Sequence, residues 1–379
     1  MSKRIVGLDA IKGIAMCLVV LLHYSFYTKY YSSGLAGTAA TVLCVVCVPL
    51  FFLVNGALLL PRRIKPHHYR NVLKMILVVL VWKVIAALFF VFANAGHQVS
   101  FKDFLSFLLG GQLGGYPAGY FWFMNALIGI YLVFPLVKQA FDSRDRKPLI
   151  ALVAVIFGFT VCKDTLKLLL QLLGMVTGHE FASLLGGLGE FYIFGNYGYT
   201  LLYFITGGFL FELIFQGDGE SGRINTKLGV RLSELLSKRG LLLVSALSCY
   251  ILTFCIQRFQ NATQGANLIV LDGYWLLPTY IGASAFFCLM APVRFRATAI
   301  RRLVTTVGKN TFGIYMLHMF ALTLFSKLQQ TGMFAFMGTM PGFAVTIANI
   351  GWAIFLFACC CCISLILRRV PIIGRIFSL

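Results

Sequence analysis

Ten long apolar segments separated by short polar loops constrain this chain more than any other feature of its sequence. A helix needs about 20 mostly apolar residues to cross a bilayer. The segments are residues 8–29, 39–60, 72–94, 120–138, 148–163, 191–215, 240–258, 274–292, 305–326 and 343–367. Only 12% of the residues are charged, against about 25% in a soluble domain. We therefore predict an all-α, polytopic membrane helix bundle of about ten transmembrane helices, forming a single domain over residues 1–379. Residues 101–109 and 164–190 are predicted to add surface-lying or re-entrant helices.

The distribution of basic residues predicts the orientation. If the N-terminus is cytoplasmic, most of the 32 lysines and arginines fall in the inner loops, as the positive-inside rule requires. We therefore expect both termini in the cytoplasm and a multi-pass protein of the inner (plasma) membrane. The net charge of +20 then reflects topology, and no nucleic-acid partner is expected. The eleven cysteines show no disulfide or zinc spacing, so no metal site is predicted.

Ionisable side chains inside apolar segments are costly and are therefore candidates for function. Lys12 and His23 in the first segment are eleven positions apart, which places them on one helix face, about 16 Å apart with an offset of about 20°. Asp9 lies one turn before Lys12 and can pair with it. The alternative is a snorkelling lysine and a structural histidine hydrogen-bonded within the bundle.

Two further ionisable residues, His318 and Lys83, lie deep in other segments. His318 lies about 20 Å from the start of the ninth segment, a depth comparable to that of His23, so the two imidazoles are expected to face one cavity. Lys83 lies near the middle of the third segment, where it can hold an anionic group or pair with a carboxylate. Either residue can also have a purely structural role.

Four stretches of the sequence match motifs that occur together in one family of membrane proteins. They are RIVGLDAIKGIAMCLVVLLH (4–23), FFLVNGALLL (51–60), YFWFMNALIGIYLVFPL (120–136) and GKNTFGIYMLH (308–318). In this order they resemble the acyltransferase-3 family, bacterial membrane proteins that O-acylate surface glycans. Two positions depart from the family pattern: Lys12 stands where the family has arginine, and Asn55 where it has serine.

The resemblance implies transfer of an acyl group, expected to be acetyl, from cytoplasmic acyl-CoA to a hydroxyl of a cell-surface glycan or its lipid-linked precursor. His23 is the expected catalytic residue, as general base or transient acyl carrier. Acyl-CoA would be a co-substrate rather than a bound cofactor, and membrane lipid is the expected surrounding. The residues expected to bind substrate, from the resemblance and from the buried charges together, are Asp9, Lys12, Asn55, Arg62, Arg63, Lys83, Asn125, Tyr315 and His318.

Two other functions agree with the same segments and buried charges. A transporter or flippase without acyl chemistry also needs several spans and ionisable groups within them. A scaffold for a polysaccharide synthase complex needs the spans but leaves the buried ionisable groups without a role.

Overall fold

The computed structural model describes residues 4–31, 34–93, 99–113, 118–215, 227–264 and 273–377. These residues form helices without a β-strand, which confirms the predicted all-helical bundle. The α-helices are α1 (Val6–Tyr27), α2 (Leu35–Cys44), α3 (Cys47–Leu59), α4 (His68–Ala93), α5 (Phe101–Leu108), α6 (Trp122–Asp142), α7 (Lys147–Phe157), α8 (Lys163–Thr177), α9 (Gly198–Phe215), α10 (Lys227–Ser237), α11 (Arg239–Gln264), α12 (Leu277–Met290), α13 (Thr298–Gln330), α14 (Gly342–Leu367) and α15 (Ile373–Ile376). Short 3-10 segments cover Gly119–Phe121, Ala182–Phe191, Gly195–Tyr197 and Ala335–Thr339.

Within the described ranges, nine helical segments are long and apolar enough to cross a membrane. They are α1, α2 with α3, α4, α6, α7 with α8, α9, α11, α13 and α14. The prediction of about ten spans therefore differs from the structure at one segment, residues 274–292. The helix there is α12, which has only 14 residues and a length of about 21 Å, against about 30 Å for the hydrocarbon core.

Proline residues explain why α12 is short. Pro278 occupies the first turn of the helix, a position that proline favours because its missing N–H would be unpaired there anyway. Pro292 follows soon after Met290 and prevents the helix from continuing. The apolar character of residues 274–292 thus extends beyond the helix that they form.

The fifth predicted segment is longer than expected. Residues 147–177 are continuously helical, because the π-helical turn Gly158–Cys162 joins α7 to α8. The helix predicted after residue 163 is thus present as α8, but it continues α7 through this turn and does not form a separate element. Lys163 and Asp164, whose charges mark the end of the apolar segment, form an ion pair with 3.2 Å between Nζ and Oδ1. The other expected short helix is present as α5.

Helix α1 lies at the centre of the bundle and contacts α2, α3, α12, α13 and α14. Its approach to α13 is close at Gly308, where an added Cβ would lie 2.6 Å from the Cβ of Asp9. A glycine is needed at this crossing because any side chain would force the helices apart. The crossing brings the histidine-bearing half of α13 against the corresponding half of α1.

Candidate active site

The two histidines predicted to share one depth lie in direct contact. The ring centroids of His23 on α1 and His318 on α13 are 4.9 Å apart, with 58° between the ring planes. His318 is fully buried, whereas His23 is partly exposed. The two imidazoles are therefore neighbours, as their depths predict, and His23 is the more exposed member of the pair.

Hydrogen bonds fix which nitrogen of each imidazole is available. Nδ1 of His23 lies 3.0 Å from the carbonyl oxygen of Val19, and Nδ1 of His318 lies 2.5 Å from that of Tyr315. A carbonyl oxygen only accepts, so each Nδ1 carries the hydrogen in the neutral ring. Each Nε2 then carries a lone pair that can accept a proton.

Tyr120 and Tyr315 complete the surroundings of the pair. The Tyr315 hydroxyl donates to the carbonyl oxygen of Tyr120, and the Tyr120 ring lies 5.3 Å from the ring of His318. Among the described residues, neither Nε2 of His318 nor the Tyr120 hydroxyl has a hydrogen-bond partner, although both atoms are buried. An unpaired buried polar atom costs about 1–3 kcal/mol, so these two atoms are suited to bind a polar ligand.

A second group of predicted residues lines a cavity of about 530 Å³ at the N-terminal end of α1, here called the cationic cavity. Its charged walls are Arg4, Asp9, Lys12 and Arg62. The Asp9 carboxylate accepts from the Arg4 guanidinium at 2.5 and 2.9 Å and pairs with Lys12 Nζ at 3.0 Å. The predicted pairing of Asp9 with Lys12 is thus present. Three cations against one carboxylate leave the cavity with a surplus of positive charge, which favours anions over cations.

Asn55 and Arg63 lie outside both groups. The Asn55 amide nitrogen donates to the carbonyl of Phe51 at 2.8 Å, and its oxygen accepts from the Tyr131 hydroxyl at 2.9 Å. Asn55 thereby joins α3 to α6. Arg62 and Arg63 are both exposed, but only Arg62 lines the cationic cavity.

Lys83 was expected to hold an anionic group or to pair with a carboxylate, but its partners in the structure are backbone carbonyl groups. Its Nζ donates to the carbonyl oxygens of Phe107 and Leu108, both at 3.1 Å. These carbonyls lie at the C-terminus of α5, where the helix dipole favours a cation. Asn125 lies beside the same end of α5, near Gly110. The structure therefore groups Lys83 and Asn125 around the end of α5.

A larger cavity of about 690 Å³, here called the aromatic cavity, lies at the other end of the bundle. Its wall includes Trp122, Tyr197, Tyr199 and Tyr274. Because Tyr199 lies at the start of α9 and Phe215, which lines the cationic cavity, at its end, the two cavities are about 24 Å apart along α9. The aromatic cavity was not predictable from the sequence, since its residues come from distant parts of the chain.

Sequence reasoning also missed two charged partners. Arg4 precedes the first residue of α1, so helical spacing did not connect it with Asp9. Arg146, in the loop between α6 and α7, pairs with Glu212 through two hydrogen bonds of 2.7 and 3.0 Å. The sequence shows Glu212 as a carboxylate within an apolar segment, but it does not show that Arg146 is its partner.

Comparison with known proteins identifies the family of the chain. The Acyl_transf_3 family model, described as an acyltransferase domain, matches residues 5–369. This range contains both histidines, all of the aromatic cavity and all of the cationic cavity except Arg4. No curated protein and no solved structure matches the chain. Because the family model covers nearly the whole chain, the protein belongs to the acyltransferase-3 family of multi-pass membrane acyltransferases.

Proposed function

We propose that this protein is an O-acetyltransferase of the inner membrane that moves an acetyl group from cytoplasmic acetyl-CoA to a hydroxyl of a cell-surface glycan or its lipid-linked precursor. The contact between His23 and His318 carries the proposal. Two neutral imidazoles with free Nε2 lone pairs form a proton acceptor for a hydroxyl, which acyl transfer to oxygen requires.

The cationic cavity is suited to the donor. Coenzyme A is a polyanion whose phosphates lie at one end and whose thioester lies at the end of a long flexible arm. With the N-terminus in the cytoplasm, as the basic residues predict, Arg4, Lys12 and Arg62 would meet those phosphates from the cytoplasmic side. A cavity of this volume falls within the usual range for small-molecule sites, about 300–1,000 Å³.

The arm would run along α1 from Lys12 towards His23, about 16 Å further along the helix axis. Met16 and Val19 lie on that same face and are buried. Both are apolar, and methionine in particular adapts its shape to a ligand. The arm would therefore enter by displacing apolar packing rather than by breaking hydrogen bonds.

In the proposed step, Nε2 of His23 accepts the proton of the acceptor hydroxyl. At the same time the hydroxyl oxygen attacks the carbonyl carbon of the thioester. The new C–O bond forms, the C–S bond breaks, and the coenzyme leaves as a thiolate, which takes up the proton from the imidazolium. His318 would hold the acceptor or share the proton through its own Nε2. A route in which His23 first carries the acetyl group balances in the same way, with the acceptor attacking an acyl-imidazole.

The proposal is tested by reconstituting the purified protein in vesicles with labelled acetyl-CoA and glycan extracted from the envelope of the cell that makes it. We expect label to appear on the glycan as a base-labile ester. Movement of the glycan across the membrane without labelling would instead support the transporter or flippase. No labelling and no movement would leave the acetyltransferase proposal without support and favour a scaffold.

The Arg62→Ala variant is expected to raise the KM for acetyl-CoA about fivefold with little change in kcat. The reason is that a charge contact from an exposed side chain such as Arg62 contributes about 1 kcal/mol and acts equally on ground state and transition state. The measurement is initial rate against donor concentration at low and high salt, and the difference should shrink at high salt.

Lys65→Ala is the matched control, because Lys65 is an exposed cation of the same loop outside the cavity wall. Equal effects of the two changes would argue against donor binding in the cationic cavity. Lys12→Arg, which restores the family residue, is expected to keep activity.

A further inference from the structure

We propose that the aromatic cavity binds a saccharide unit of the acceptor, so that the two substrates enter from opposite ends of the bundle. This inference rests on the proposed function, because it gives that function its acceptor site. It is carried by the wall of the cavity, by its polar side chains and by its position next to the histidine pair.

The wall offers flat apolar surfaces of the kind that a sugar ring packs against. The rings of Trp122 and Tyr197 are stacked with centroids 5.4 Å apart, and Trp122 also stacks with Tyr274 at 6.0 Å. Tyr199 and Trp275 continue the surface, with 5.6 Å between their centroids. The C–H groups of a sugar carry partial positive charge and are attracted to the negative faces of such rings.

The remaining wall supplies hydrogen-bonding groups of both kinds. Lys163, Asp164, Lys167, Gln171 and Gln257 line it, and their amide, ammonium and carboxylate groups can donate to and accept from hydroxyls. The two lysines and one aspartate of this wall give a net charge of +1. The three cations and one carboxylate of the cationic cavity give +2. The aromatic cavity therefore suits a polyhydroxylated ligand better than a polyphosphate.

Tyr192 adds a second observation that points to a polar ligand. Tyr192 lines the cavity, and its hydroxyl is buried and has no hydrogen-bond partner among the described residues. Burial, together with the nearby Asp164 carboxylate, raises the pKa of Tyr192 to about 12. The hydroxyl therefore stays protonated at neutral pH and can donate to a sugar oxygen.

Hydrogen bonds hold the wall in place without a ligand. The Tyr203 hydroxyl, one turn after Tyr199 on α9, donates to the carbonyl of Tyr274 at 2.7 Å. The backbone N–H of Leu277 donates to the Thr165 hydroxyl at 2.9 Å. The stretch that carries Tyr274 is thus attached to both α8 and α9. Such preorganisation lowers the entropy lost on binding.

The cavity adjoins the histidine pair through one short stretch of chain. Tyr120, whose ring contacts His318, and Trp122, which lines the cavity, are separated by a single residue. A sugar held against Trp122 would therefore lie beside the stretch of chain whose Tyr120 ring contacts His318.

The test measures saccharide binding without acylation, so it is independent of the proposed function. Trp122 and Trp275 line the cavity, whereas Trp82 and Trp352 lie elsewhere. A Trp82→Phe/Trp352→Phe protein in lipid nanodiscs therefore reports on the cavity by its fluorescence. The probe is the oligosaccharide pool released from the envelope glycan of the cell that makes the protein. We expect saturable quenching, with apparent affinity about two- to tenfold lower after Tyr197→Ala.

Tyr197 is chosen because 52% of its surface is exposed, so its removal leaves the fold intact. Tyr69→Ala, which removes an equally exposed tyrosine (58%) far from the cavity, is the matched control and should bind as the parent protein does. Trp122→Phe should bind like the parent, since it keeps an aromatic face.

Three results would overturn the inference. The first is absence of quenching in the parent protein. The second is an equal loss of oligosaccharide affinity in Tyr197→Ala and Tyr69→Ala. The third is displacement of the oligosaccharide by glycerophosphoglycerol, which would mark the cavity as a lipid-headgroup site. Quenching that depends on Tyr197 in a protein that transfers no acetyl group would support the saccharide site and refute the acetyltransferase. Acetylation of the glycan without such binding would support the acetyltransferase and refute the saccharide site.

Discussion

Replacing His23 with alanine or glutamine is expected to lower the rate of acyl transfer by about 100- to 10,000-fold, the usual contribution of a positioned general base. Glutamine keeps a polar side chain but cannot take up a proton at neutral pH, so its loss of rate isolates the proton transfer. The measurement is the initial rate of label transfer from acetyl-CoA to glycan at saturating donor and acceptor, compared at equal amounts of folded protein.

His67→Gln is the matched control, because His67 is exposed in the loop between α3 and α4 and should leave the rate unchanged. Normal acylation by His23→Ala would remove His23 from the chemistry. Incubation with labelled acetyl-CoA alone separates the two possible roles: an acyl carrier retains label on the protein, whereas a general base does not.

Replacing Arg146 with alanine is expected to lower the free energy of unfolding by about 3–5 kcal/mol, because it leaves a buried carboxylate without its partner. Glu212 is only 3% exposed, and the Arg146 guanidinium also lies 4.5 Å from the centroid of the Phe141 ring. Loss of the arginine thus removes a two-point ion pair and a cation–π contact. The measurement is the thermal unfolding midpoint of the purified protein in detergent.

Arg144→Ala removes an exposed arginine from the same loop and should leave the midpoint nearly unchanged. The double variant Arg146→Met/Glu212→Leu should recover much of the lost stability, because it removes both charges and keeps apolar volume. Equal midpoints for Arg146→Ala and Arg144→Ala would show that the pair contributes little to stability.

Features that depend on position along one helix could be predicted from the sequence. Helical geometry places Lys12 and His23 on one face of α1 and lets Asp9 reach Lys12, and the structure has this pairing at 3.0 Å. The sequence also gives the depth of a residue within its apolar segment. His23 and His318 have similar depths, so they are predicted to lie close together if their two helices are neighbours. The prediction for the two histidines therefore depends only on where the apolar segments begin and end.

Features that depend on which helix lies beside which could not be predicted. Lys83 was recognised as a buried cation, but its partners are the carbonyls at the end of α5, which carry no charge signal in the sequence. Glu212 binds an arginine from a loop, and loop positions are not fixed by periodicity. The aromatic cavity joins Trp122 of α6 to Tyr274, which precedes α12, and aromatic residues are too common in apolar segments to single out.

The contact of α1 with α13 has a consequence for how the protein is made. A growing chain inserts α1 first, and α13 follows only after α12. Asp9 finds Arg4 and Lys12 within its own part of the chain, so its carboxylate has both partners as soon as α1 is synthesised. His23 has to wait for His318, and until then its imidazole has the Val19 carbonyl and the Tyr27 ring of the same helix as neighbours. The two ends of α1 are therefore stabilised at different stages of synthesis, and an incomplete chain has no paired imidazoles with which to react with a thioester.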